Sequence, residues 1–197
     1  MELLDYFQKG GIVMYPLLLC SIIALGIFIE RLLFYKRALG NEASNKKLGE
    51  ALQSNDPEIL GSLLKNGKSD CFELVKYYAS LDQGDDKKTY TLETKANIMM
   101  QAYEEKLNIL TVIITLAPLM GLLGTILGII KSFSIFGAAS DQPFAITAGI
   151  GEALIATGFG IIVAIFALLL HGSLKLIIAK LNRELEYCAL NIIKAEK

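Results

Sequence analysis

The sequence predicts an all-α membrane protein with three transmembrane helices, and three observations support this fold class. Hydrophobic residues make up 53% of the 197-residue chain. The mean hydropathy is +0.48, and the apolar residues are concentrated in blocks. Three of these blocks reach the roughly 20 residues that a helix needs to cross a bilayer. We predict spans at residues 10–30, 107–136 and 145–171.

Basic residues beside two of the spans predict the orientation of the chain. They are Arg31, Lys36 and Arg37 after the first span, and Lys175, Lys180 and Arg183 after the third. Basic loops tend to stay in the cytoplasm, so we expect the N-terminus outside and the C-terminus inside. Lys131 is the exception, and at a helix end it is expected to snorkel to the interface.

This orientation assigns the segments between the spans. The assignments are residues 1–9 as an outer-face interfacial segment, 31–106 as a helical cytoplasmic segment, 137–144 as an outer loop and 172–197 as a cytoplasmic C-terminal helix. The N-terminus lacks the basic region of a cleaved signal peptide. Leu3, Leu4 and Phe7 share one helical side, which predicts a short interfacial helix there.

Local signals predict the helices of the cytoplasmic segment. Asn55 and Asp56 before Pro57 are typical of a helix start, and Asn66-Gly67 of its end. A second short helix is predicted over 70–81, ending near Gly84. From Asp86 no glycine or proline follows until Ala117, so one helix is expected to continue into the second span.

The third span is expected to continue as a long helix, because an apolar seam follows it. That seam is Leu174, Ile178, Leu181, Leu185, Cys188 and Ile192. Its spacing alternates between three and four residues, with charged residues between its members.

Glu152 is the feature of the third span that predicts function. A charged side chain at the membrane centre costs roughly 2.5–3.5 kcal/mol on insertion scales, so an intramembrane carboxylate is a functional-site hypothesis. Glu152 and Thr157 flank a stripe of small residues that favours close helix packing. The stripe includes Gly149, Ala153, Ala156 and Gly160. His171 lies near the same face and is interpreted as a polar residue at the membrane interface.

The second span carries a similar seam of small and polar residues. It comprises Pro118, Gly121, Thr125, Gly128 and Ser132, and Gly124 with Gly128 adds a GxxxG pair. The simplest interpretation is tight packing, with the Thr125 hydroxyl bonded to the Gly121 carbonyl four residues earlier. The recurrence of threonine beside a small-residue seam in both spans favours a functional role as well.

Composition and motifs argue against several other classes of protein. A net charge of −1 gives no case for nucleic-acid binding. Cys20, Cys71 and Cys188 are far apart and His171 is the single histidine, so we expect no metal site and no cofactor. An intramembrane enzyme would need a second intramembrane carboxylate, a Ser-His pair or an HExxH motif, so an enzyme is not expected. Three spans also need oligomerisation to enclose a transport path.

The segments APLMGLLGTILGII and GIGEALIATGFGIIVAI resemble the TolQ/ExbB/MotA proton-channel family, most closely its TolQ and ExbB branch. PLLLCSIIALGIFIERLLFY, the first span and its exit, is similar to the same branch. The resemblance covers about half of the chain. It implies a pentameric ring of this chain, with the second and third spans lining a pore. It also implies a single-span TolR- or ExbD-like partner with a membrane Asp inside that pore.

The resemblance also assigns roles to individual residues. Thr125 and Thr157 match the pore threonines of the second and third spans, and Glu152 matches the glutamate that precedes the latter. Pro118 and Gly121 match the start of the second-span motif. Phe166 stands where the family often has Pro, and His171 where it often has Tyr; neither change touches the ion-path candidates.

The expected function is an ion channel or motor subunit in the bacterial inner membrane. It would convert the proton motive force into mechanical work on a TonB- or TolA-like protein acting at the outer membrane. The alternative is a passive membrane scaffold without ion conduction. The sequence leaves open which process is driven, whether the ion is a proton or sodium, and whether Glu152 is an entry group or an inter-subunit hydrogen-bond partner.

Overall fold

The computed structural model describes residues 7–54, 57–81, 85–138 and 143–195, and all regular structure in those ranges is α-helical. The helices are α1 Met14–Leu39, α2 Glu42–Ser54, α3 Pro57–Asn66, α4 Asp70–Ala79, α5 Asp85–Glu104, α6 Leu107–Ala138 and α7 Pro143–Ala195. Three helical stretches are long and apolar enough to cross a membrane. The predicted all-helical fold with three candidate spans is therefore confirmed.

Some predicted features lie outside the described residues. They are the interfacial helix at Leu3 and Leu4, the cap at Asn55 and Asp56, the end near Gly84 and the central part of the 137–144 loop. Within the described residues, α3 begins at Pro57 and ends at Asn66, as predicted. Helix α4 ends at Ala79, two residues before the predicted Leu81, and Ser80 caps it through a backbone bond to the Lys76 carbonyl.

The chain divides into two compact units. The first unit comprises the described residues up to Phe28 together with Leu107–Gly172. The second comprises Ile29–Lys106 and the described residues from Ser173 onward. Each unit has its own core.

The core of the first unit contains small side chains where α6 and α7 meet. Ala117, Ala153, Ala156 and Ala167 are buried, whereas large apolar residues such as Leu119, Leu154 and Leu169 are exposed. Exposed large apolar side chains over a whole helix surface are unusual for a protein in water. They are the expected surface of helices that contact lipid.

The core of the second unit consists of large side chains. Leu48, Leu74, Leu92 and Leu185 are fully buried or nearly so. All six members of the predicted α7 seam are buried, from Leu174 to Ile192. The predicted seam is therefore confirmed, and α7 is one helix from Pro143 to Ala195 as its spacing indicated.

The helix predicted from Asp86 into the second span is present as the helical stretch Lys87–Ser134, but a two-residue turn interrupts it. Helix α5 ends at Glu104, residues 105 and 106 form a turn, and α6 begins at Leu107. Side chains satisfy the end of α5: Arg31 Nη1 donates to the Ala102 carbonyl at 3.0 Å, and Tyr35 Oη donates to the Tyr103 carbonyl at 2.6 Å. Such donors serve carbonyls that a helix end leaves without a backbone partner.

Candidate functional site

Thr157 lies on the contact between α6 and α7. Its hydroxyl donates a hydrogen bond to the Gly121 carbonyl at 3.0 Å. A Cβ added at Gly121 would lie 3.1 Å from the Thr157 Cα and 3.3 Å from the Gly160 Cα. The two helix backbones are therefore in contact at this point. Because Gly121 has no Cβ, α7 can approach closely enough for the Thr157 hydroxyl to bond the Gly121 carbonyl.

The same close approach continues toward the connection between the two helices. A Cβ added at Gly124 would lie 2.5 Å from the Ala156 Cβ, and one at Gly128 would lie 2.9 Å from the Ala153 Cβ. Gly149 lies against Ser132, and Gly160 against the Ala117 carbonyl. Pro118 lies inside α6, one residue after Ala117. The small-residue candidates of both spans thus lie along or beside one helix–helix contact.

The hydrogen-bond partner of Thr125 differs from the one that the packing interpretation predicts. Its hydroxyl donates to the Leu122 carbonyl at 2.6 Å, three residues earlier, instead of to Gly121. The Gly121 carbonyl accepts from Thr157. Thr125 also lines an apolar groove of about 460 Å³ together with Ile129, Ser132, Phe133, Ile150, Ala153 and Leu154.

Both threonine hydroxyls donate to backbone carbonyls, and this determines what they can still bind. A hydroxyl has one proton to donate and two lone pairs that accept. Because the proton is already used at Thr125 and Thr157, the free capacity of each oxygen is as an acceptor. Each oxygen can therefore bind water, a protonated carboxyl or a cation.

Glu152 forms an ion pair with Lys131. The Lys131 Nζ lies 2.7 Å from the Glu152 Oε2, with side-chain exposures of 61% and 23%. Both residues line a groove of about 940 Å³ that also includes Lys9 and Gly11. Gly11 has a φ of +73°, and a side chain there would collide with the Glu152 carboxylate.

Sequence analysis treated Lys131 as a snorkelling side chain and missed this partner. The helix bounds of the structure show an approximate correspondence between the two positions. Lys131 lies seven residues before the end of α6 at Ala138, and Glu152 nine residues after the start of α7 at Pro143. Antiparallel neighbours joined by a short connection bring residues at such matching distances level with each other.

His171 lies at the other end of the first unit. Its Nε2 is 3.4 Å from the Thr111 Oγ1. It follows Glu152 by 19 residues on α7, which corresponds to about 28 Å along a helix axis. The structure therefore places His171 far from the Glu152 carboxylate.

A sequence profile of the MotA/TolQ/ExbB proton channel family matches residues 56–187. The chain belongs to this family. The resemblance read from the two span motifs is thereby confirmed, and the profile match extends it through most of the second unit. The family consists of channel and transport proteins of the membrane, so three apolar helices in a family member describe a multi-pass membrane protein.

Individual relatives agree with this membership. The ExbB-like protein 1 of Synechocystis is 32% identical, with the alignment covering 95% of this chain and 75% of the relative. The ExbB-like protein 3 of the same organism is 32% identical over 82% of this chain and 80% of its own length. The biopolymer transport protein exbB1 of Vibrio cholerae is 29% identical, covering 95% and 87%.

The second unit of this family member contains a buried polar network that sequence analysis missed. Tyr103 Oη donates to Asp70 Oδ2 at 2.6 Å, and Tyr35 bonds the Tyr103 carbonyl. Burial raises the pKa of Asp70, and the bond from Tyr103 partly opposes that rise. Charged and hydroxyl groups in a largely apolar core are tolerated because each has a partner.

Cys71 and Cys188 are buried neighbours in the second unit. The Cys188 Sγ lies 3.6 Å from the Cys71 carbonyl. The neighbouring Cys188 side chain, followed by burial, raises the pKa of the Cys71 thiol, so this thiol is not an activated nucleophile. Among the residues that the structure describes, no three His, Cys, Asp or Glu side chains are grouped to hold a metal ion.

Proposed function

We propose that this chain is the ring-forming ion channel and motor subunit of a bacterial inner-membrane complex. The complex would convert the proton motive force into mechanical work on a TonB- or TolA-like protein that acts at the outer membrane. The observation that carries the proposal is the hydrogen bond from the Thr157 hydroxyl to the Gly121 carbonyl, which leaves the Thr157 oxygen as an acceptor at the α6–α7 contact. Membership of a proton channel family supports it.

The proposed ion path consists of Thr125, Thr157 and Glu152. A hydroxyl that already donates to the backbone accepts a hydrogen bond from a protonated carboxyl, and it accepts equally from water once that carboxyl is ionised. The ring is proposed to surround the membrane helix of a single-span TolR- or ExbD-like partner that carries an Asp. The proton would move on and off this Asp beside the threonines, because a carboxyl in a low-dielectric pore is easily neutralised.

Assembly as a ring, as a pentamer by resemblance, is part of this proposal. The three spans of one chain are too few to enclose a path. The packing of Gly121, Gly124 and Gly128 of α6 on α7, with Pro118 beside them, would make the helix pair rigid, so that it forms one wall segment. Repeated wall segments would present the partner with equivalent positions of nearly equal energy.

The proposed topology places the N-terminus outside and the C-terminus in the cytoplasm. The segments 31–106 and 172–197 would then form the cytoplasmic part. The basic residues after the first and third spans support this orientation.

A passive scaffold is the competing candidate, and one observation favours it. The hydroxyls and the carboxylate of the candidate path all have partners within the chain. Proton flux into vesicles holding this chain, with and without a single-span partner carrying the membrane Asp, separates the two functions. Partner-dependent flux supports the channel, whereas assembly with the partner and no flux supports the scaffold.

Thr157→Val sharpens this experiment. The variant keeps the size of the side chain but loses the acceptor and the bond to the Gly121 carbonyl. Because the backbone contact at Gly121 and Gly160 remains, we expect an assembled complex without partner-dependent flux. The control is Thr115→Val, because Thr115 is an exposed α6 threonine whose hydroxyl bonds only carbonyls of its own helix among the bonds described. Wild-type flux in an assembled Thr157→Val complex would remove Thr157 from the ion path.

A further inference from the structure

The Lys131–Glu152 pair suggests a role for the carboxylate that differs from both alternatives open at the sequence level. We propose that Lys131 is the fixed counter-ion of Glu152, which holds this carboxylate ionised and in place. Glu152 is then a positioned charge on the path and does not carry the translocated proton. The consequence for transport rests on the proposed ion conduction, whereas the pairing itself does not.

The geometry is that of a hydrogen-bonded ion pair rather than of a loose contact between two surface charges. The Lys131 Nζ to Glu152 Oε2 distance of 2.7 Å is that of a charge-assisted hydrogen bond. Glu152 is the more buried partner at 23% exposure, so it depends most on a neighbour for its charge. An ionised side chain in an apolar environment is retained only when it is paired.

The backbone near the N-terminus restricts the carboxylate from a second side. Gly11 has a left-handed φ of +73°, and a side chain there would overlap the Glu152 Oε1. The groove that holds the pair has one other charged lining residue among those described, Lys9. Both lining lysines are positively charged, and the Lys131 ammonium contacts the Glu152 carboxylate.

The pairing has a direct consequence for an ion that passes this point. The tethered ammonium already neutralises the carboxylate at Oε2, so a mobile cation at Glu152 would have to compete with a fixed positive charge. A carboxylate that lacks a counter-ion in an apolar setting takes up a proton instead of remaining charged. Lys131 therefore determines whether Glu152 is a fixed anion or an exchangeable proton site.

A carbodiimide experiment tests the pairing without relying on transport. Dicyclohexylcarbodiimide enters membranes and reacts with protonated carboxyls, forming an N-acylurea that mass spectrometry locates. The assembled wild-type chain should label slowly at Glu152. In Lys131→Met, labelling at Glu152 should rise about tenfold, because a carboxylate that has lost its counter-ion in an apolar setting takes up a proton. Lys131→Arg should label as slowly as the wild type.

Two further variants exclude a merely structural effect. Lys106→Met removes a lysine that pairs with Glu30 in the second unit, and it should leave Glu152 labelling unchanged. The charge-reversed double variant K131E/E152K restores a pair, so its carboxyl at position 131 should label slowly, whereas that carboxyl in K131E alone should label fast. If Lys131→Met fails to assemble, the comparison of K131E with K131E/E152K decides the question. Equal labelling in each comparison would overturn the pairing.

Flux through the same variants separates this proposal from the function on which it rests. If the wild type shows no partner-dependent flux, the channel function fails, and labelling still decides the pairing. If the wild type conducts, Lys131→Met should change the pH dependence of flux and Lys131→Arg should preserve it. An unchanged pH dependence in Lys131→Met would overturn the fixed-charge role.

Discussion

The two units of this chain differ in the side chains that their helices bury against each other. Where α6 and α7 meet in the first unit, alanines lie inside and many large apolar residues are exposed, whereas leucines dominate the core of the second unit. In lipid no hydrophobic force pulls helices together, so close backbone contact and interhelical hydrogen bonds must hold them. In water the burial of large side chains supplies that force. A single helix, α7, contributes residues to both units.

The largest expected effect comes from adding volume to the first unit. In Gly160→Leu, even the Cβ would lie 2.7 Å from the Ala117 carbonyl and 2.9 Å from the Gly121 Cα, so α6 and α7 must separate. Overpacking costs about 1–3 kcal/mol in ordinary cores and more where backbone blocks the site. We expect loss of the assembled complex on size exclusion in detergent.

Gly158→Leu is the matched control for that substitution. Nothing lies within 4 Å of a Cβ added at Gly158. This variant should assemble normally, and equal loss in both variants would contradict the backbone contact seen at Gly160.

Removing volume from the second unit should have the next largest effect. Leu185→Ala deletes most of a side chain that is 1% exposed, and such changes cost about 2–5 kcal/mol. The measurement is the denaturation midpoint of the purified protein followed by circular dichroism. Leu190→Ala, at a position that is 52% exposed on the same helix, should shift the midpoint far less.

The Asp70–Tyr103 bond should produce a smaller, pH-dependent effect. The pKa of Asp70 is raised above its ordinary value of 3.8, so the folded state binds this proton more tightly than the unfolded state does. The stabilisation is complete below about 3.8 and is lost as the pH rises through the folded pKa. Asp70→Asn should remove this slope from the pH profile of the denaturation midpoint.

Tyr103→Phe tests the same bond from the other side. Without the hydroxyl that donates to Asp70, the folded pKa of Asp70 should rise further and the slope should extend to higher pH. Loss of the bond should also cost about 1–3 kcal/mol at neutral pH. Tyr90→Phe, at a position that is 73% exposed, should match the wild type, and a Tyr103→Phe profile identical to it would argue against the bond.

The chain by itself determined the features that depend on local pattern. Hydropathy blocks predicted three spans, Pro57 and Asn66 marked both ends of α3, and three-four spacing predicted the buried seam from Leu174 to Ile192. These signals can be recognised without knowing which helices pack together, because periodicity and capping depend on residues close in the sequence. The ion-path roles of Thr125, Thr157 and Glu152 stay predictions for the flux and labelling experiments.

Tertiary structure alone decided which groups meet. The carbonyl that Thr157 bonds lies 36 residues away, and the ammonium that pairs with Glu152 lies 21 residues away. At the break after Glu104, the Arg31 guanidinium bonds a carbonyl 71 residues along the chain. Such partners follow from the register of packed helices, and a difference of one residue turns a side chain by about 100°. Local sequence therefore predicted the helices, and their packing selected the contacts.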